Sequence, residues 1–106
     1  MDQATITPVI KKYLEKLRQS VPVEEVILFG SHSSGDSGPE SDIDLIFLSS
    51  DFSKYDPDTR LRMIYRASTG LPYDFHAYGV TPEEYVSASS LTTLGAIRET
   101  HPITIK

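Results

Sequence analysis

The chain has no cysteine and no long apolar run, and each absence excludes a class of protein. Without cysteine, its 106 residues can form neither a disulfide framework nor a thiolate metal site. No apolar run approaches the roughly 18 residues that a membrane-spanning helix needs. The segment MDQATITPVIKK has no basic region followed by the apolar stretch of a secretory signal. We therefore expect a single cytoplasmic domain covering residues 1–106.

An excess of basic charge is also missing. The formal net charge is −5, so the chain lacks the positive field that neutralises a nucleic-acid backbone, and we expect no strong direct binding to nucleic acid. Basic residues do cluster between positions 11 and 18 and between positions 60 and 66. We interpret both clusters as solvated helix faces, with contact to a partner or to a triphosphate as the alternative.

The pattern of apolar, proline and glycine residues predicts an alternation of helices and strands. Helices are expected where a capping residue and a proline precede apolar residues at helical spacing, and strands where short apolar runs end at turn residues. The predicted helices cover residues 8–19, 56–70 and 81–98, and the predicted strands cover residues 26–29, 42–48, 73–78 and 102–106. This order predicts an α/β (α+β) fold with a small mixed sheet and helices packed on it.

The helical periodicity also predicts which side chains face the core. Leu61, Ile64 and Tyr65 fall on one side of the second predicted helix, which we take as its inner face. Tyr13 and Tyr85 occupy corresponding positions on the first and third helices. We therefore expect all five side chains in the core.

Two aspartates, Asp42 and Asp44, lie two residues apart in an otherwise apolar predicted strand. Side chains at positions i and i+2 share one face of a strand, so both carboxylates point away from Ile43 and Leu45. Like charges held this close repel each other, and a divalent cation between them removes the repulsion. Mg²⁺ is usually held by one or two carboxylates together with substrate phosphates. The alternative is that both aspartates lie on a solvated face.

A third carboxylate, Asp74, lies between two aromatic residues of the next predicted strand and faces away from them. If these strands are adjacent, Asp42, Asp44 and Asp74 converge, and three carboxylates can hold two metal ions. Asp74 is then the expected base, or base-assisting ligand, for an attacking hydroxyl. His76 shares this face of the strand. It fits either a functional role, beside the metal or the acceptor group, or an ordinary structural role.

A Gly-Ser pair, Gly30 and Ser31, directly follows the first predicted strand. Glycine lets the backbone approach a phosphate closely, and the serine hydroxyl with the amides after it can bind phosphate oxygens. Alone, the pair is typical of an ordinary turn. Together with the aspartate pair that follows ten residues later, it indicates a metal-dependent site for phosphate chemistry.

The segment LFGSHSSGDSGPESDIDLIFL resembles the signature of minimal nucleotidyltransferase domains, a branch of the DNA polymerase beta-like superfamily. The resemblance covers nearly the whole chain and includes the Thr-Pro-Glu-Glu-Tyr segment after the third strand. It implies Mg²⁺-dependent transfer of a nucleoside monophosphate, AMP from ATP, onto an acceptor hydroxyl. The residues that it implies are Asp42, Asp44 and Asp74 for metal binding and catalysis, and Gly30, Ser31, His32 and Ser34 for nucleotide binding.

The resemblance also implies a partner. Stand-alone domains of this size are often antitoxins of an all-helical HEPN toxin, and some add AMP to a tyrosine of that toxin. Relatives usually carry arginines where this chain has His32 and Ser34. Because arginine is always charged and histidine is mostly neutral at pH 7, this departure weakens the expected hold on the triphosphate.

Three functions therefore stay open at the level of sequence. The first is an active adenylyltransferase antitoxin, and the second is a catalytically idle module that neutralises a partner by contact. The third is a sugar- or antibiotic-modifying transferase, which usually needs a second domain or a second copy of the chain to build the acceptor cleft. All three are compatible with a homo- or hetero-oligomer.

Overall fold

A computed structural model describes residues 3–29, 43–87 and 103–104 of the chain. The helices are α1 (Gln3–Leu17), α2 (Pro57–Ala67) and α3 (Pro82–Ser87), the strands are β1 (Glu25–Phe29), β2 (Ile43–Leu48), β3 (Phe75–Val80) and β4 (Ile103–Thr104), and a 3-10 helix covers Ser50–Lys54. None of the helices in these ranges has the length and apolar content that crossing a bilayer requires.

The strands form one mixed sheet in the order β3-β2-β1-β4. β1 pairs antiparallel with both β2 and β4, whereas β2 and β3 run parallel, with Ile43 opposite Phe75 and Asp44 opposite His76. The parallel connection between β2 and β3 runs through the 3-10 helix and α2, as such a crossover requires. The predicted mixed sheet with helices packed on it is confirmed, and so is the short edge strand near the end of the chain.

The main core lies between one face of this sheet and the helices α1 and α2. At its centre the ring of Tyr13 meets Phe47 and Phe75 edge-on, with centroid distances of 4.9 and 4.8 Å. The Tyr13 hydroxyl donates a 2.8 Å hydrogen bond to the backbone carbonyl of Ile64 in α2. A smaller cluster on the opposite face contains Ile27, Ile46 and Leu48, with Val80 and Tyr85 packed against it.

Local capping explains where α2 and α3 begin. The Asp56 carboxylate accepts a hydrogen bond from the Thr59 N–H, and a proline occupies the first turn of α2. At α3 the capping is reciprocal: the Thr81 hydroxyl accepts from the Glu84 N–H, and Glu84 accepts from the Thr81 N–H at 2.8 Å. The predicted starts of both helices are confirmed, while the predicted continuation of α3 to residue 98 lies outside the described residues.

The predicted start of the first helix at residue 8 is wrong. α1 begins at Gln3 and carries Pro8 in its interior. A proline there removes one intrahelical hydrogen bond. Ile6 and Ile10, one helical turn apart on either side of the proline, are however both fully buried in the main core, and this burial offsets the lost hydrogen bond.

The inner face predicted for α2 is only partly correct. Ile64 and Ala67 are buried, but 48% of Leu61 and 78% of Tyr65 are exposed. Since α2 lies beside β3, the outermost strand at that side of the described sheet, only one side of the helix meets other elements. β3 also begins at Phe75, two residues later than predicted, and the 3-10 helix was not predicted.

Candidate functional site

The parallel pairing of β2 and β3 brings two of the predicted site residues to the same end of the sheet. The Ile43 N–H donates a 3.0 Å hydrogen bond to the Asp74 carbonyl, which anchors the segment before β3 to the start of β2. Asp44 is the second residue of β2, and Asp74 directly precedes β3. The expected adjacency of the two strands is therefore confirmed.

Burial separates the two faces of this strand pair. On β3 and the residue before it, Asp74 and His76 are exposed, whereas Phe75 packs against the main core. On β2, Ile43 and Leu45 are completely buried, while Asp44 between them is partly exposed. Because strand side chains alternate, Asp44, Asp74 and His76 lie on the face opposite the main core.

His76 is the neighbour of Asp44 across the strand pair. Its Nδ1 lies 3.6 Å from the Asp44 Oδ1, within reach of an ion pair when the imidazole is protonated but beyond an ordinary hydrogen bond. The His76 side chain is 67% exposed and that of Asp44 is 24% exposed. The place of the ring beside a predicted metal ligand fits a functional role for His76. Its place opposite Asp44 across the strand pair also fits a structural role.

The remaining predicted site residues lie outside the described part of the chain; they are Gly30, Ser31, His32, Ser34 and Asp42. Their roles stay predictions. Within the described ranges, no three histidine, aspartate or glutamate side chains are grouped so that they could hold a metal ion. Asp44 and Asp74 do supply the hard carboxylate oxygens that suit Mg²⁺, and the sequence assigns the third carboxylate to Asp42.

One basic residue considered for triphosphate contact has a structural role. The Arg60 guanidinium donates to the Tyr55 carbonyl at 3.0 Å and pairs with the Glu84 carboxylate at 2.8 Å. It also lies over the Phe52 ring, 5.8 Å from its centroid. Burial raises the pKa of Glu84, but the Thr81 hydrogen bonds and the Arg60 charge outweigh it, so that this pKa lies below its usual value.

Sequence reasoning missed a cleft beside Asp74. Its volume is about 460 Å³, and its walls include Tyr65, Ser68, Tyr73 and His76. Tyr65 was expected in the core, and its exposure depends on the placement of α2 against β3. Helical spacing gives the relative angles of side chains around a helix but not which of them meet a neighbour, so no sequence signal identifies this cleft.

Comparison with known families decides the class of the protein. A family model described as a nucleotidyltransferase domain matches residues 10–97, most of the chain. The chain belongs to the nucleotidyltransferase domain family. No curated protein matches this nucleotidyltransferase domain. The resemblance drawn from the Gly-Ser and aspartate motifs is thereby confirmed for the family.

Solved structures similar to this nucleotidyltransferase domain support the same fold. A protein from Sulfolobus solfataricus, provisionally identified as a nucleotidyltransferase, is 25% identical with a TM-score of 0.66, over 82% of this chain and 77% of that one. A toxin-antitoxin structure with AMP-PNP is 26% identical with a TM-score of 0.64, over 91% of this chain and 71% of that one. A mutant of the toxin-antitoxin MntA-HpeT is 24% identical with a TM-score of 0.62, again over 91% of this chain and 71% of that one. At this identity the similarity shows the fold alone.

Proposed function

We propose that this nucleotidyltransferase domain is the antitoxin of a toxin-antitoxin pair and transfers AMP from ATP onto a tyrosine hydroxyl of an all-helical HEPN toxin. The observation that carries the proposal is the placement of Asp44 and Asp74 on one face, at the same end of two parallel strands. The similar toxin-antitoxin structure with AMP-PNP supports both an adenine nucleotide and a protein partner.

Each predicted residue has a defined task in this reaction. The Gly30 and Ser31 amides and hydroxyl, with His32 and Ser34, bind the triphosphate. Asp42, Asp44 and Asp74 would hold Mg²⁺, which when bound neutralises charge on the phosphates and lowers the pKa of the attacking hydroxyl.

Asp74 is the proposed proton acceptor. The tyrosine oxygen attacks the α-phosphorus of ATP, the bond from that phosphorus to the bridging oxygen breaks, and pyrophosphate leaves. The phenolic proton passes to the Asp74 carboxylate. Because Asp74 is exposed beside a cleft, an acceptor side chain from another protein can reach it.

Label transfer from ATP radiolabelled at the α-phosphate tests this proposal. The domain is incubated with Mg²⁺ and its purified toxin, and label on the toxin is mapped by mass spectrometry. We expect label on a tyrosine with the wild type and with an Asp51→Asn control, which changes a partly exposed carboxylate of the 3-10 helix. We expect about a hundredfold less label on the toxin with the Asp74→Asn variant.

The same experiment decides between the active enzyme and the idle binding module. The idle module is the alternative favoured by the absence of arginines at positions 32 and 34 of the loop. An idle module would neutralise the toxin without transferring label, and the Asp74→Asn variant would neutralise it equally well. That result would contradict the proposed transfer reaction while leaving the toxin partnership intact.

A further inference from the structure

An exposed phenol of this chain shares a cleft with the proposed proton acceptor. Tyr65 on α2 and Asp74 before β3 both line the cleft of about 460 Å³ described above. This volume lies within the range of about 300–1,000 Å³ that is typical of small-molecule sites. One wall of the cleft therefore carries a hydroxyl of the same chemical class as the acceptor in the proposed reaction.

The turn between α2 and β3 fixes the backbone of Tyr65 relative to that of Asp74. The Tyr65 carbonyl accepts from the Ser68 N–H at 3.1 Å, and the Ser68 carbonyl accepts from the Leu71 N–H at 3.2 Å. Gly70 reverses the chain within this turn with a φ of 86°, in the left-handed region that favours glycine. At the far end, the Asp74 carbonyl is anchored to the start of β2. The two residues thus lie at the two ends of one hydrogen-bonded turn.

Exposure distinguishes Tyr65 from the other tyrosines near this cleft. Tyr65 is 78% exposed, so packing does not hold its ring in one position. Tyr73 lines the same cleft but is partly buried against the main core. Tyr78 is 41% exposed but lines the two neighbouring clefts, which Asp74 does not line. Among the tyrosines that the structure describes, Tyr65 alone combines high exposure with a place beside this carboxylate.

The remaining groups of the cleft favour the acceptor over the donor phosphates. Its described lining contains no lysine or arginine that could offset the charge of a triphosphate. Ser68 and Thr69 also line it, but the Ser68 hydroxyl already donates to the Tyr65 carbonyl at 2.6 Å. A phenol also gives up its proton more readily than an aliphatic hydroxyl does. Tyr65 is therefore the best nucleophile among the described hydroxyls of the cleft.

We propose that Tyr65 is itself an acceptor of AMP, so that the domain adenylylates its own chain when no toxin is present. The Tyr65 oxygen attacks the α-phosphorus of ATP, the bond from that phosphorus to the bridging oxygen breaks, and pyrophosphate leaves. The phenolic proton passes to the Asp74 carboxylate. Because the phenol and the base belong to one molecule, the step needs no encounter with a second protein. The inference rests on the proposed function in that ATP donates AMP and Asp74 accepts the proton.

Mass spectrometry of the domain alone tests this proposal. The purified chain is incubated with Mg²⁺ and with ATP radiolabelled at the α-phosphate, without toxin, and the labelled residue is mapped. We expect one AMP on Tyr65 and none on Tyr78, which is exposed but lies outside the cleft lined by Asp74. No label on Tyr65, or equal label on the two tyrosines, would overturn the proposal.

Three variants separate the self-modification from the catalytic machinery. Tyr65→Phe removes only the nucleophilic oxygen, so it should abolish self-labelling, whereas label on the toxin should not fall. Tyr78→Phe, the matched control, should retain both activities. Asp74→Asn should reduce both by about a hundredfold. Self-labelling at the wild-type rate in Tyr65→Phe or in Asp74→Asn would overturn the proposal.

A mixture of two inactive variants tests whether the transfer stays within one chain. Tyr65→Phe retains the base and Asp74→Asn retains the phenol, so neither can complete the intramolecular step. We expect the mixture to remain unlabelled, and the first-order rate constant of the wild type to be independent of protein concentration. Label on Tyr65 of the Asp74→Asn chain, at a rate that rises with protein concentration, would identify a second copy as the acceptor and overturn the intramolecular step.

The two labelling experiments distinguish failure of this inference from failure of the proposed function. A domain that labels its toxin but not Tyr65 would refute the self-modification alone. A domain that labels Tyr65 but not the toxin would refute the toxin reaction alone. A domain that labels neither would refute both.

Discussion

His76 and Asp44 face each other across the parallel strands β2 and β3, with the imidazole Nδ1 3.6 Å from the carboxylate Oδ1. Two thirds of the His76 side chain is exposed, so water and salt screen the attraction. The pair lies on the face that carries the proposed catalytic carboxylates. Because this attraction is screened, we expect the pair to contribute little to holding the two strands together.

Replacing His76 should therefore leave the fold almost unchanged. We expect His76→Gln to alter the free energy of unfolding by less than about 0.5 kcal/mol, since exposed pairs of this kind contribute little. Urea denaturation followed by circular dichroism measures this directly. A loss of about 2 kcal/mol or more would show that the ring holds the two strands together, contrary to our interpretation.

Gly79 is required by packing. A Cβ at this position would lie 2.8 Å from both the Ile64 Cδ1 and the Phe52 Cζ, in the contact between β3, α2 and the 3-10 helix. Gly79→Ala should cost about 1–3 kcal/mol of stability through overpacking. Combining it with Phe52→Leu should cost less than the sum of the two single changes. Additive losses in denaturation experiments would indicate that the steric explanation is wrong.

The Tyr13 hydroxyl stabilises the contact between α1 and α2. Burial raises the pKa of this phenol, so it stays protonated and donates to the Ile64 carbonyl. Tyr13→Phe removes that donor and leaves a buried carbonyl unpaired, which should cost about 1–2 kcal/mol. Tyr65→Phe, on the exposed side of α2, is the control and should cost nothing measurable. A neutral Tyr13→Phe change would mean that water replaces the lost partner.

The interactions of Glu84 with Arg60 and Thr81 predict that the stability of the fold depends on pH. Because the pKa of Glu84 is lower in the folded state than its usual value of 4.5, ionised Glu84 stabilises the fold above that pH. The contribution declines as the pH falls through the lower folded-state pKa. Melting temperatures of the wild type should therefore decrease more on acidification than those of Glu84→Gln.

Glu83→Gln is the matched control for this measurement. It removes a carboxylate from the same turn of α3 but leaves the Arg60 pair and the reciprocal Thr81 cap in place. We expect its acid dependence to follow that of the wild type. If Glu84→Gln and Glu83→Gln behave alike, the pair does not contribute to the stability of the fold.

Local signals explain what the sequence predicts well. The Thr81 and Glu84 capping pair acts within one turn, so its spacing alone predicts the helix start. The alternation around Asp44 likewise predicts that its carboxylate faces away from two buried neighbours, and the structure has that arrangement. Both inferences depend on covalent spacing and need no knowledge of the tertiary neighbours.

Tertiary packing decides the features that the sequence does not predict. Pro8 is a strong local signal for a helix start, but the burial of Ile6 outweighs it. Tyr65 lies at the same helical spacing as core residues, yet α2 lies at the sheet edge and leaves it exposed. The cleft beside Asp74 follows from that placement, so it has no signature in the sequence.

Isothermal titration of ATP with Mg²⁺ tests whether the aspartates form a metal-dependent nucleotide site. We expect metal-dependent binding to the wild type and to the Asp51→Asn control, and a loss of affinity of about tenfold or more, about 1.4 kcal/mol, in an Asp42→Asn/Asp44→Asn variant. Such a loss in a folded variant would establish the carboxylates as part of the nucleotide site. Unchanged binding in that variant, or no binding to the wild type with its toxin present, would contradict a nucleotide site built on these carboxylates.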